Sequence, residues 1–160
     1  MPNFIPKKKS GDKPKRRKRT ERQTWIDKVD KVFSLYIRLR DSKRYGFRYF
    51  RCPTCHRILP ISQADCSHYY SRSFMGTRFD PDNCMAECAY DNRYNSSHLI
   101  EMGKTLEKTI GTEAYLQLKA KARATCKLSV EDLKEKYMYF AALVLQMKKE
   151  EKNNLIKGRF

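Results

Sequence analysis

The stretch ADCSHYYSRSFMGTRFDPDNCMAECAYDN, residues 64–92, decides how this chain is read. It sets His68 three positions after Asp65 and follows them with Asn83, the cysteines Cys84 and Cys88, and the pair Asp91 and Asn92. So many ligand-forming and proton-handling side chains together belong either to a metal-dependent site or to a zinc knuckle whose other polar residues face water. Just upstream, YGFRYFRC at 45–52 alternates aromatic and basic residues, which predicts a strand running into Cys52-Pro-Thr-Cys55. Two cysteines at this spacing sit on a tight turn and present both sulfurs to one Zn²⁺, so Cys52 and Cys55 form half of a structural site. For the other half, Cys88 with Asp91 keeps the two-residue spacer, whereas Cys84 with Cys88 would stand one helical turn apart. Spacing alone does not choose between them.

Working outward, 160 residues suffice for one ordinary domain with a core and tails. Lysine and arginine outnumber aspartate and glutamate by 35 to 18, a formal charge of +17. Such a surface seeks a polyanion, first of all nucleic acid. No apolar run approaches the roughly 18 residues of a spanning helix and no secretory segment follows the basic start, so a soluble, intracellular protein with no membrane partner is expected. Six cysteines are enough for three disulfides, but four of them fall in the 52–55 and 84–88 clusters and nothing suggests export, which favours metal binding.

Residues 1 to about 20 hold three prolines, a glycine and nine basic residues with almost no apolar content. They cannot offset the entropy of ordering, and a disordered basic arm over 1–21 is expected, with Lys15, Arg16, Arg17, Lys18 and Arg19 as phosphate contacts. From Thr24, a plausible N-cap, the residues Trp25, Ile26, Val29, Val32, Phe33, Tyr36, Ile37 and Arg40 recur at helical spacing and make one core-facing stripe. Downstream, a helix ends at Gly111, another opens with Thr112 as N-cap, and a third follows Ser129 and Asp132, which resemble a capping box. The apolar face of this last helix is Leu133, Tyr137, Phe140, Leu143, Val144 and Met147. The expected division is the arm, a zinc-bound domain with flanking helices at 22–125, and a C-terminal helix at 126–160 that packs on the domain or mediates dimerisation.

A zinc-tied fold carrying Asp, His and Asn in this order resembles the ββα-metal, or HNH, nuclease core. The resemblance sharpens with YIRLRD at 36–41, C-x-x-C at 52–55, ADCSHYYSR at 64–72, TRFDPDN at 77–83 and C-x-x-D-N at 88–92. This ordered set is similar to the NinG/Rap recombination endonucleases of lambdoid phages, which carry D-x-G-H-Y, R-F/Y-D-x-x-N and C-x-x-C-N. HLIEMGKTLEKTIGTEAYLQL, residues 98–118, also resembles their continuation, and the likeness spans roughly residues 30–120. Asp91 stands where the family has the second cysteine, and Ser67 where it often has glycine. The first departure makes Asp91 the preferred fourth zinc ligand, with Cys84 as the alternative.

The resemblance implies an α+β fold, a small zinc-bound ββα unit among longer helices, in a phage-encoded protein working in the cytoplasm of a bacterial host. It implies a metal-dependent endonuclease acting on branched recombination intermediates such as Holliday junctions or D-loops, expected as a homodimer because two strands are cut. His68 would be the general base, being largely neutral at pH 7. Asp65 and Asn92 offer the hard oxygens that suit Mg²⁺ or Mn²⁺, as the same residue types do in the similar phage endonuclease VII. Asn83 would brace the loop by bonding backbone, and Arg72 and Arg78 are candidate phosphate clamps or simply solvated charges. Asn83 could equally cap a short helix, His98 lies beyond the motif, and Cys66 and Cys126 read as small buried residues. The rivals are a non-catalytic zinc-stabilised nucleic-acid-binding module and a general HNH nicking endonuclease.

Overall fold

The computed structural model describes residues 18–156, and the architecture is α+β, mostly helical with two small sheets. The segment Lys15, Arg16 and Arg17 of the basic arm therefore lies outside the described residues, while Lys18 and Arg19 are exposed. Helix α1 (Glu21–Ser42) starts earlier than Thr24, because Thr20 is the cap: its side-chain oxygen accepts from the Gln23 amide at 3.1 Å. Thr24 instead donates its hydroxyl back to the Thr20 carbonyl. Helix α1 thus takes in Glu21, the last residue assigned to the expected arm.

The strand expected over 45–52 shrinks to β1 (Tyr49–Arg51). A single 3-10 turn occupies Lys43–Tyr45, and Gly46 (φ 66°) and Phe47 (φ 63°) both adopt left-handed backbone, which no strand accommodates. Phe47 is nonetheless 2% exposed, so its burial offsets the strain of its conformation. β1 pairs antiparallel with β2 (Ile58–Pro60), and β3 (Ala64–His68) pairs antiparallel with β4 (Cys84–Cys88). Helix α2 (Ala89–Tyr94) follows β4 directly, so the central stretch forms a hairpin and then a short helix. Three further helices complete the chain: α3 (His98–Ile110), α4 (Thr112–Arg123) and α5 (Val130–Ile156). Gly111 caps the end of α3 as expected, but it also occupies the N-cap of α4, leaving Thr112 as that helix's first residue.

The α1 stripe is core. Ile26, Val29, Phe33 and Ile37 pack with Leu133 and Phe140 of α5 and with Phe79 and Cys84. Helix α5 therefore lies along α1, started by the expected capping box: the Ser129 amide donates to Asp132 at 2.8 Å and the Asp132 amide to the Ser129 hydroxyl at 3.0 Å. The end of α1 is pinned to the hairpin by its last polar residues. Arg40 donates to the carbonyls of Pro81 (2.9 Å) and Cys84 (2.7 Å), and Asp41 accepts from the Ala86 amide at 2.7 Å, satisfying β4 groups that lack a strand neighbour.

The pleat fixes which side chains can meet, since successive residues of a strand face opposite ways. One face of the β3–β4 hairpin, carrying Ala64, Cys66, His68, Cys84, Ala86 and Cys88, packs on α1 and on the β1 hairpin. The other carries Asp65, Ser67 and Glu87 and meets α2 and α3: Asp65 bonds Asn92, Ser67 touches the Met102 sulfur at 3.4 Å, and Glu87 bonds His98. Among the described residues no helix is long and apolar enough to cross a membrane.

Candidate metal centre and neighbouring cleft

Cys52 closes β1 and Cys55 follows on a turn held by bonds from the Cys52 amide to the Arg57 carbonyl (2.9 Å) and from the His56 amide to the Cys52 carbonyl (3.0 Å). His56 takes a left-handed backbone to complete it. Across from this turn, Cys88 ends β4 and is the N-cap of α2, its sulfur accepting from the Asp91 amide. The ligand atoms of Cys52, Cys55, Cys88 and Asp91 all lie within 4.8 Å of one another. The Asp91 Oδ2 atom sits 3.3 Å from the Cys52 sulfur and 3.0 Å from that of Cys88, and the Cys55 and Cys88 sulfurs are 4.0 Å apart. Ligands at the usual zinc–sulfur bond length define tetrahedron edges of about 3.8 Å, so the set fits a metal such as zinc. Cys84 is not part of this set.

Burial raises the Asp91 carboxyl, but hydrogen bonds from Cys55, Cys88, the Asn95 amide and Cys52 outweigh it and hold the pKa at about 2. Burial pushes the thiols of Cys52 and Cys88 upward. A buried carboxylate ringed by thiols is a donor set that a cation such as zinc could complete, taking the thiols as thiolates.

Asp65, the second residue of β3, stands at the edge of a cleft of about 460 Å³ lined also by Arg57, Gln63, Tyr90 and Arg93. Asn92 donates to its Oδ2 at 3.1 Å, and the Arg93 guanidinium binds both oxygens, at 2.8 and 2.9 Å. Burial raises the Asp65 carboxyl, while Arg93 and Asn92 bring it below the usual carboxylate range. Asp65 and Asn92 are thus brought together.

His68 is not brought to them. Three positions along a strand put it on the opposite face from Asp65 and roughly 10 Å further on. Its ring centroid lies 6.1 Å from that of Phe33, its Nε2 is 3.1 Å from the Arg78 carbonyl oxygen, and its neighbours are the thiols of Cys66 and Cys84. Burial lowers its pKa below the ordinary histidine value, favouring the neutral ring.

Asn83 is fully buried and braces the loop between the strands. Its Oδ1 accepts from the Tyr70 amide at 2.8 Å, and its Nδ2 donates to the Tyr70 and Thr77 carbonyls, both at 2.9 Å. Arg78 does not present a free guanidinium: it grips Asp30 of α1 at 3.0 and 2.5 Å and donates to the Arg72 carbonyl. Its charge fastens the loop to α1. The Arg72 side chain is exposed, and Arg19 ion-pairs with Asp27.

Two features escaped the sequence. Glu87 is completely buried, bonded to His98 Nδ1 at 2.9 Å and to the Thr54 hydroxyl, so His98 ties α3 to the hairpin. A carboxylate in the middle of a strand facing a helix was the available signal. Second, Arg40, Lys43, Arg44, Arg51, Lys104 and Lys108 line a cationic cleft of about 1080 Å³ between the end of α1 and α3. The basic run from Lys43 to Arg51 supplies one wall, but α3 supplies the other only through the fold.

The family model described as the Bacteriophage Lambda NinG protein matches residues 6–151. No curated relative and no solved structure matches the chain.

Proposed function

Because the chain belongs to the family of the bacteriophage lambda NinG protein, we propose that it is a divalent-metal-dependent endodeoxyribonuclease that cuts branched recombination intermediates. The observation that carries this is the hairpin-and-helix unit clasped by the Cys52–Cys55–Cys88–Asp91 set, with Asp65 and Asn92 joined at an open cleft beside two exposed arginines. Zinc at the clasp is structural. The hard oxygens of Asp65 and Asn92 suit Mg²⁺ or Mn²⁺, which when bound would neutralise the scissile phosphate and stabilise the leaving 3′-oxygen. The Arg93 guanidinium holds Asp65 ionised, and a divalent ion bound there would take its place at the carboxylate.

Phosphodiester hydrolysis forms a bond from water oxygen to phosphorus, breaks the bond to the 3′-oxygen and needs a base for the water proton. His68 is that base. Donation from Nε2 to the Arg78 carbonyl leaves the lone pair on Nδ1, and burial keeps the ring neutral. The imidazole lies beside Phe33 on the other face of the hairpin, so sharing a phosphate with Asp65 requires the end of β3 to rearrange on substrate binding. Arg57, Arg93 and the exposed rings of Tyr90 and Tyr94 provide phosphate and stacking contacts. Cutting two strands of a junction calls for a homodimer.

The rival non-catalytic binding module draws on the same facts differently: Asp65 is already paired with Arg93, and His68 faces the core. A labelled four-way junction incubated with Mg²⁺, Mn²⁺ or EDTA, beside a linear duplex of the same sequence and the His68→Ala variant, separates them. Metal-dependent cuts near the branch point that His68→Ala abolishes are expected. Equal cutting of the linear duplex would replace junction selectivity by general nicking, and binding without cuts under either metal would refute the nuclease.

A further inference from the structure

Cys66, His68 and Cys84 form a second ligand set. Cys66 and His68 leave the same face of β3, and Cys84 is the register partner of His68 on β4, so the hairpin itself places all three on one patch. Their ligand atoms lie within 4.8 Å of one another. The patch faces Phe33 and Phe79, in the same core as Cys84, which is fully buried.

Two thiols beside a neutral imidazole, walled by aromatic rings, are the donors of a soft tetrahedral cation. Two thiolates cancel the charge of a divalent ion, so the filled site is neutral and an apolar wall tolerates it. Hard cations are disfavoured, because no carboxylate belongs to the set and water is largely excluded. The Arg78 carbonyl, which accepts from Nε2 at 3.1 Å, fixes the ring and leaves Nδ1 as its ligand atom. Packing alone accounts for small buried cysteines, but it does not account for two of them converging on the one histidine of the central block.

We propose that Cys66, His68 and Cys84 bind a second, soft divalent cation of the Zn²⁺ class, distinct from the one at Cys52, Cys55, Cys88 and Asp91. The ion locks the imidazole on the inner face of the hairpin. A further consequence, which rests on the nuclease activity proposed above, is that zinc at this site withdraws His68 from proton transfer and switches cleavage off.

The test is zinc stoichiometry on the reduced full-length protein, equilibrated with micromolar zinc, freed of excess and measured by elemental analysis. Wild type should retain two ions per chain, whereas Cys66→Ser and His68→Gln should retain one, their second site weakened by at least about tenfold. Cobalt substitution provides the check if a variant folds poorly: in wild type a second equivalent should add thiolate-to-cobalt absorption after the first is saturated. One ion in wild type with no second cobalt step, or two ions retained in both variants, overturns the proposal. Junction cleavage is then measured against added zinc. Inhibition of wild type that is weaker in Cys66→Ser supports the switch. Two ions bound with cleavage unaffected leaves the site standing and removes the switch, and two ions with no cleavage under any condition removes the nuclease instead.

Discussion

Replacing Asn83 by alanine isolates the element that holds the His68 loop. The side chain is fully buried and makes three hydrogen bonds, one accepted from the Tyr70 amide and two donated to the Tyr70 and Thr77 carbonyls. Each bond contributes about 1 kcal/mol net, and the Thr77 carbonyl keeps a donor after truncation because it also accepts from the Asp80 amide at 3.1 Å. The expected loss is about 3 kcal/mol, a large part of the total stability of a domain this size. Urea unfolding at saturating zinc, followed by the fluorescence of the single tryptophan, Trp25, reads it directly, because Trp25 packs against the core and stacks edge-on with Tyr137. Asn83→Asp is the sharper companion: it keeps an acceptor for the Tyr70 amide but sets a carboxylate oxygen against two carbonyls, so it should cost at least as much as alanine. A loss below about 1 kcal/mol for either variant, at unchanged slope in urea, would refute the bracing role.

The remaining expectations concern the clasp and helix α5. Chelating the zinc, or Cys52→Ser, should unfold β1–β2 and α2 and leave the protein aggregation-prone, because a structural zinc contributes folding energy outright; circular dichroism and light scattering showing an intact soluble apo-protein would contradict this. The Asp132 carboxyl is held below its usual range by bonds from the Ser129 amide and side chain, so it stabilises the fold above its unfolded pKa of about 3.9, and that share is lost as pH falls through its lower folded value. Asp132→Asn should therefore be less heat-stable than wild type at neutral pH and converge with it in acid; zinc release at low pH affects both, so the difference between them is the readout, and a constant difference down to pH 2 would remove the charged cap.

The helices were legible because their period is local. The stripe from Ile26 to Ile37 and the Ser129–Asp132 box each need only a few turns of sequence, and both stand in the structure. The start of α1 was misplaced because Thr20 and Thr24 are equivalent caps by residue type, and Thr20 sits at the end of a run that composition marks as tail. The strand was overextended because alternation at 45–52 does not register that Gly46 and Phe47 turn left-handed. In the site, the cysteine spacings pointed to residues that the structure does bring together, since each half of the clasp is a local turn. What spacing concealed was the pleat: an odd separation on a strand sets two residues back to back, so Asp65 and His68, adjacent as motif, diverge as geometry. Arg78 looked free because its partner Asp30 lies 48 residues away on α1.

The same local logic explains why a carboxylate can stand where a fourth cysteine is expected. Cys88 and Asp91 are at once a ligand pair with two intervening residues and the N-cap and third residue of α2, because the two spacings coincide. A helix's third position favours an acidic side chain, whose charge complements the unpaired amides of the first turn. Asp91 thus gains from the helix part of what it gives up in affinity for a soft ion. Its oxygens are also divided: Oδ1 accepts from Asn95 at 3.2 Å, while Oδ2 turns to the Cys52 and Cys88 sulfurs. One oxygen is therefore held as a single-point donor of the kind a tetrahedral ion takes. Cys84 has no such support, since its sulfur stands at the opposite end of β4 beside Cys66 and His68, so the carboxylate and not the spare cysteine is placed with Cys52, Cys55 and Cys88.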